Sequence, residues 1–209
     1  MPEEAKYGRG RCCVFGLENI DTDVIIPQTE LVTVSKSGLA DGLFARWRYK
    51  NDRIPNPDFV LNRPRNKECR FLLAAANFGC GSSREHAAWA LTEYGVRAVI
   101  SPNFGEIFFR NSIRNGLLPA RIAAADYRCL ASLADGEGGI DDMIVDLTAG
   151  QITVGRLTVP FSLDQVDRMR LLTDTDDIAE TLLHRTDIEG FVAADRIRRP
   201  WVHQTLWEG

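Results

Sequence analysis

The sequence predicts an α/β fold: a mainly parallel sheet flanked by helices, followed by a β meander and a helical C-terminal tail. Three observations carry this. Phe71-Leu72-Leu73-Ala74-Ala75-Ala76 is an unbroken apolar run, the pattern of a strand buried on both faces. It is followed by helix-spaced and strand-like segments in alternation, a rhythm that calls for parallel pairing through right-handed crossovers. After about residue 138 that rhythm gives way to short apolar runs separated by turn pairs.

Taken in order, Cys12 to Gly16 can begin a strand, and a polar turn follows at Glu18 to Asp23. Val24-Ile25-Ile26 is an apolar run stopped by Pro27. Residues 28 to 49 mix apolar and turn signals, and Lys50 to Lys67 reads mainly as loop. After the Phe71 run, residues 84 to 94 place Ala87, Ala88, Leu91 and Tyr94 at helical spacing, with Gly95 as the stop. Val96 to Ser101 is strand-like, Glu106 to Asn115 helical with Gly116 beyond it, and Leu117 to Ile122 a further strand. Met143 to Leu147, Ile152 to Val154 and Leu157 to Phe161 form the meander, turning at Ala149-Gly150 and Gly155-Arg156. Ser162 is positioned to cap a helix reaching Leu172, and the tail is helical to Ile197, with Pro200 ending it. The whole reads as a single domain over residues 1–209, with its motifs in 1–137 and the meander and tail in 138–209.

At 209 residues, 44% hydrophobic and 26% charged, the chain has ordinary globular usage and can bury a core without staples. A net charge of -4 argues against a nucleic-acid partner, which needs a basic field. No apolar run reaches the length of a membrane span, and Met1 to Arg11 has no apolar leader segment, so the cytoplasm is the expected compartment. The five cysteines are odd in number, and Cys12 and Cys13 are adjacent, so they supply no zinc or iron–sulfur ligand run. No bound metal or cofactor is expected in this chain.

The segment that carries chemistry is Asn77-Phe78-Gly79-Cys80-Gly81-Ser82-Ser83-Arg84-Glu85-His86, between the buried strand and the next helix. In open α/β sheets ligands bind at the carboxyl ends of strands. Ser82 and Glu85 have capping-box spacing, and Gly79 and Gly81 allow a tight turn with free amides. Arg84 opposes the helix dipole where it stands, so its guanidinium fork suits a substrate carboxylate. On spacing alone, a capped helix behind a tight turn explains the loop equally well. A nucleophile elbow would need G-x-S-x-G and a P-loop a following lysine, and the loop has neither.

Asn77 to Leu91 resembles the signature of the swivelling domain of the aconitase superfamily. Asn19-Ile20-Asp21-Thr22-Asp23-Val24-Ile25-Ile26-Pro27 is similar to that family's N-x-D-T-D-x-I-I-P segment. Asn56 to Asn62, with Leu43-Phe44 and Trp47-Arg48-Tyr49, looks like the small-subunit form found in 3-isopropylmalate dehydratases. In order and spacing the resemblance covers roughly residues 10 to 165. It implies a hydro-lyase that interconverts 2-isopropylmalate and 3-isopropylmalate through isopropylmaleate, in leucine biosynthesis, and that works only with a large subunit. A four-iron iron–sulfur cluster is expected in that partner. By the same resemblance Ser82 aligns with the catalytic serine base, Ser83 and Arg84 with substrate contacts, and Asp23 with an aspartate near the site; the role expected of Asp23 here is to orient an Arg or His partner. Gly79 and Gly81 support the loop; His86 and Cys80 have structural places.

Two stretches depart from the family pattern. Gln28-Thr29-Glu30-Leu31 has Glu30 where an aromatic is common, and Lys36-Ser37-Gly38 replaces Arg-Thr-Gly, making Lys36 a candidate contact for a substrate carboxylate. Leu172 to Ile178 lacks the usual Leu-Asn-Gly-Leu-Asp turn. A buried unpaired Glu30 beside an isopropyl group would be costly, so related hydratases acting on citraconate, dimethylmaleate or homoaconitate stand as alternatives, as does a non-catalytic anion-binding module.

Overall fold

The computed structural model describes residues 7–31, 37–173, 181–182 and 184–203. Its strands are β1 (Tyr7–Phe15), β2 (Phe71–Ala74), β3 (Ala98–Ser101), β4 (Leu118–Arg121), β5 (Gly139–Asp146), β6 (Gln151–Val154) and β7 (Leu157–Pro160). They form one sheet in the order β4-β3-β2-β1-β5-β6-β7. From β1 to β4 neighbouring strands are parallel, with Cys12 opposite Phe71, Phe71 opposite Ala98 and Ala98 opposite Leu118. On its other edge β1 pairs antiparallel with β5, and β6 and β7 continue as the meander. The strand that begins the chain is therefore the central seam joining the parallel and antiparallel halves.

Burial explains the two sequence patterns. Every residue of β2 and β3 is buried, as the continuous apolar runs require. In the second half of β5 and just beyond it the buried residues alternate, Met143, Val145 and then Leu147, so only one face is covered there. The helices are α1 (Thr22–Ile25), α2 (Ala45–Arg48), α3 (His86–Tyr94), α4 (Glu106–Arg114), α5 (Ala124–Ala131), α6 (Gln165–Thr173) and α7 (Arg185–Arg198). α3 stops at Gly95, whose left-handed φ of 108° lets its amide return to Leu91 and Thr92.

Three expectations are corrected. β1 starts five residues before Cys12, its earlier half paired to β5. Ser162 does not cap α6: its amide bonds the Arg121 carbonyl, and Asp164 accepts the Asp167 amide at 2.7 Å instead. α5 was not expected at all; Leu130 is its one buried residue, so its apolar stripe is too thin to read.

The chain divides into two compact units, Met1–Thr173 and Asp174–Gly209. In the second, the Asp195 carboxylate of α7 accepts from Arg199 Nε at 2.7 Å and lies 3.0 Å from His203 Nε2. Most of the altered turn from Leu172 to Ile178 lies outside the described residues.

In the first unit a polar knot ties β1 to the segment leading into β5. Arg11 donates to Asp135 at 2.7 Å and also to Asp141 and Asn66, with its side chain only 10% exposed. The Arg11 hydrogen bond, reinforced by the Gly139 and Glu137 amides, holds the Asp135 carboxyl down at about 2. A carboxylate with a depressed pKa contributes stability that is complete above the ordinary carboxylate range and is lost as pH falls through the folded value. Asp135→Asn is therefore expected to lower stability at neutral pH, with the gap to the unsubstituted chain closing as pH drops below about 4 toward about 2. Urea unfolding at a series of pH values measures this; a gap independent of pH would contradict the ionic role.

Candidate active site

The site is built from the segments that leave the carboxyl ends of β1, β2 and β3. Their backbones are laced together. The Asn19 amide bonds Ala76 O at 2.9 Å, the Gly79 amide bonds Ile20 O at 2.7 Å, and the Thr22 amide bonds Cys80 O at 2.9 Å. On the other side the Gly105 amide bonds Phe78 O at 2.9 Å, and the Asn77 amide donates to the Asn103 side chain. Asn19 and Asn77 both adopt positive φ, a conformation asparagine tolerates, and Asn77 Nδ2 donates to Asn19 Oδ1 at 2.8 Å.

Gly79 is the point of closest approach. Its φ is +73°, and a Cβ there would lie 2.2 Å from the Phe108 ring. Gly105 is equally constrained: a Cβ would meet the Gly79 carbonyl oxygen at 2.3 Å. Gly81, at φ +90°, turns the chain beside Asp21 and leads directly to Ser82.

The capping box is not formed. α3 begins at His86, its N-cap Glu85 makes no side-chain cap bond, and Arg84 lies before the helix rather than in its first turn. Glu85 Oε1 instead accepts from Asn115 Nδ2 at 2.8 Å, and Asn115 Oδ1 accepts from Trp89 Nε1 at 2.8 Å. Released from capping, the exposed Ser82 places its Oγ 3.0 Å from the Thr22 hydroxyl. Ser83 beside it is also exposed.

Arg84 is held from one side. Its Nη1 donates to Asp23 Oδ1 and, at 3.1 Å, to the Ile26 carbonyl. Its Nε and Nη2 donate to no acceptor among the described residues, which leaves an edge with two parallel donors. The second oxygen of Asp23 pairs with Arg46 Nη1 at 2.8 Å. The Arg84 hydrogen bond, with the Gln28 amide and the Arg46 charge, holds the Asp23 carboxyl below its ordinary range. One carboxylate between two guanidiniums leaves the face positive, suited to an anion. Arg46 also lines a cleft of about 440 Å³ whose walls include Phe15, Trp47 and Phe59.

Lys36 lies outside the described residues. The segments flanking it are pinned: Glu30 accepts from Arg53 Nη1 at 3.0 Å through both oxygens, and Glu93 of α3 accepts the Gly38, Leu39 and Ala40 amides at 2.6, 2.6 and 2.9 Å. Burial would raise the Glu93 carboxyl, but those three amides outweigh it and hold it low. Sequence reading missed Thr22, Arg46, Glu93 and Gly105. Thr22 had a signal, being flanked by Asp21 and Asp23 in the recognised segment; Arg46 and Glu93 act across long sequence separations and had none. Among the described residues no three His, Cys, Asp or Glu side chains converge as a metal-binding group.

Ser82 and the half-engaged Arg84 guanidinium thus stand together on laced loops at the carboxyl ends of parallel strands. The aconitase C-terminal domain family matches residues 6–125. The small subunit of 3-isopropylmalate dehydratase from Cupriavidus necator is 47% identical over 188 residues, covering 88% of this chain and 90% of its own. Those from Afipia carboxidovorans and Brucella canis are 43% and 45% identical, each again over 88% of this chain and over 92% and 91% of their own length. The crystal structure of 3-isopropylmalate dehydratase from Methanocaldococcus jannaschii superposes with a TM-score of 0.64 at 30% identity, covering 87% of this chain and 96% of that one. The chain belongs to the aconitase C-terminal domain family and, within it, to the 3-isopropylmalate dehydratase small subunits.

Because the Gly79 Cβ position is occupied by Phe108, Gly79→Ala is expected to destabilise by at least about 1–3 kcal/mol. That corresponds to a fall in Tm on the order of 2–12 °C. Calorimetry checks this, and an unchanged Tm would contradict the close approach.

Proposed function

We propose that this chain is the serine-bearing half of a hydro-lyase that interconverts 2-isopropylmalate and 3-isopropylmalate through isopropylmaleate, in leucine biosynthesis, with its complement in a large subunit. The observation that carries the reading is the pairing of an exposed Ser82 hydroxyl with an Arg84 whose free edge is fixed by Asp23. Removing a proton from the carbon next to a carboxylate builds charge on that carboxylate. The free Nε and Nη2 edge of Arg84 can meet it bidentately, where a guanidinium is strongest. Ser82 is the proton acceptor, and Ser83 and Lys36 contact the substrate's carboxylates.

A serine hydroxyl is too weak an acid to ionise readily near neutrality, so its alkoxide needs donors and exclusion of water. Arg84 supplies positive charge, and a closing partner supplies the dry surroundings. A four-iron iron–sulfur cluster in the large subunit supplies, when bound, a Lewis acid for the departing hydroxyl. The thiols of this chain do not suit such ligation: Cys12, Cys13 and Cys69 are buried in the core, and among the described residues no three His, Cys, Asp or Glu side chains converge to hold a metal. Free buried thiols fit a reducing compartment, the cytoplasm.

The pairing of Glu30 with Arg53 bears on substrate choice. With its charge compensated, Glu30 raises no objection to an isopropyl group of the kind an unpaired buried carboxylate would raise, so isopropylmalate stands ahead of the smaller or more polar alternatives.

Ser82→Ala in the reconstituted complex is expected to cut turnover about 10²–10⁴-fold. The folding cost is that of one hydroxyl hydrogen bond, about 0.5–1.5 kcal/mol. An assembled mutant complex with near-normal turnover would overturn the assignment of Ser82.

A further inference from the structure

Thr22 is 1% exposed, yet its hydroxyl reaches the catalytic loop twice. Its Oγ1 lies 3.0 Å from the Ser82 carbonyl oxygen and 3.0 Å from Ser82 Oγ. A threonine hydroxyl has one proton to give, and a carbonyl can only accept. Two arrangements therefore share the same heavy-atom positions. With Ser82 protonated, Thr22 donates to the Ser82 carbonyl while Ser82 donates to Thr22 Oγ1. With Ser82 ionised, the Thr22 proton swings onto the alkoxide, and the Ser82 carbonyl keeps the Arg84 amide, which donates to it at 2.8 Å.

Relative to a chain without the Thr22 hydroxyl, the second arrangement gives the alkoxide a hydrogen bond to a charged acceptor, roughly twice as strong as either of the two neutral ones it replaces. The switch thus favours the ionised serine. The neighbouring groups do not duplicate it. Asp21 spends its carboxylate capping α1 through the Val24 amide at 2.7 Å, and Asp23 is held between Arg84 and Arg46. Burial raises the Cys80 thiol, keeping it neutral, and Arg84 acts as a fixed charge.

Building on Ser82 as proton acceptor, we propose that Thr22 is a positioning residue whose hydroxyl switches between the Ser82 carbonyl and Ser82 Oγ to stabilise the alkoxide. In dehydration the substrate C–H bond breaks, its proton forms the Ser82 O–H bond, and its electron pair forms the new C=C bond as hydroxide leaves. The Thr22 proton stays on Thr22 and rotates back to the carbonyl. Rehydration reverses each movement, so Ser82 returns a proton to carbon and no oxidant or reductant enters.

The test is the pH profile of kcat for complexes of the full chain with its large subunit, comparing Thr22→Val, Thr22→Ser and the unsubstituted chain. On the limb where turnover rises with pH, Thr22→Val is expected to move the midpoint up by about one to two pH units. At a fixed pH below that limb this is a roughly 10–100-fold loss. Thr22→Ser, which keeps the hydroxyl, is expected to restore the original profile. If the valine complex does not assemble, Thr22→Ala carries the same comparison. A role confined to holding the loop would lower stability or raise KM and leave the limb in place. An unmoved limb in the assembled variant, or an equal shift in Thr22→Ser, would overturn the proposal. Ser82→Ala run alongside keeps the two claims apart: retained turnover there would sink the serine assignment itself, whereas an inactive Ser82→Ala beside an unmoved Thr22→Val limb would remove only Thr22.

Discussion

The backbone hydrogen bonds that lace together the segments after β1, β2 and β3 are the constraint on which the site rests. A serine on an exposed loop would ordinarily be free to wander. Here the residues before it are tied to Ile20 and Thr22 on one side and to Gly105 on the other. The ties close only because Gly79 and Gly105 carry no side chains where their backbones meet. Loop positions fixed by a rigid scaffold are where function concentrates, and the scaffold here is a set of strands buried on both faces.

Electrostatics completes what the lacing begins. Asp23 shares its two oxygens between Arg84 and Arg46, so the guanidinium beside Ser82 is oriented before any substrate arrives. An oriented fork loses little freedom on meeting a carboxylate, and such preorganisation is the larger part of what a charged residue contributes to catalysis. In the proposed reading the chain presents a proton acceptor, Ser82, and an anion clamp, Arg84, with Thr22 against the acceptor. The small-subunit names of its relatives imply a large-subunit partner that would complete such a site.

The strands of the parallel half were legible because burial on both faces leaves an unbroken apolar run, and the meander because turn pairs interrupt it. The position of β1 at the seam was not, since pairing partners are chosen by contacts far apart in sequence. Local rules failed where tertiary partners outbid them. Ser82 and Glu85 have the spacing of a capping box, but Thr22 takes the serine and Asn115 the glutamate. Ser162 likewise yields to Asp164, because a β-bridge to Arg121 holds it in extended backbone two residues before the cap position. The motif residues of the site could be named from sequence, whereas Arg46, which holds Asp23 from another helix, could not.

Mixing the purified chain with a 3-isopropylmalate dehydratase large subunit tests the central claim most directly, with interconversion of 2-isopropylmalate and 3-isopropylmalate followed in each component and in the mixture. The account predicts no turnover from this chain alone and turnover on mixing. An active isolated chain, or an assembled complex inert toward both isomers, would contradict it.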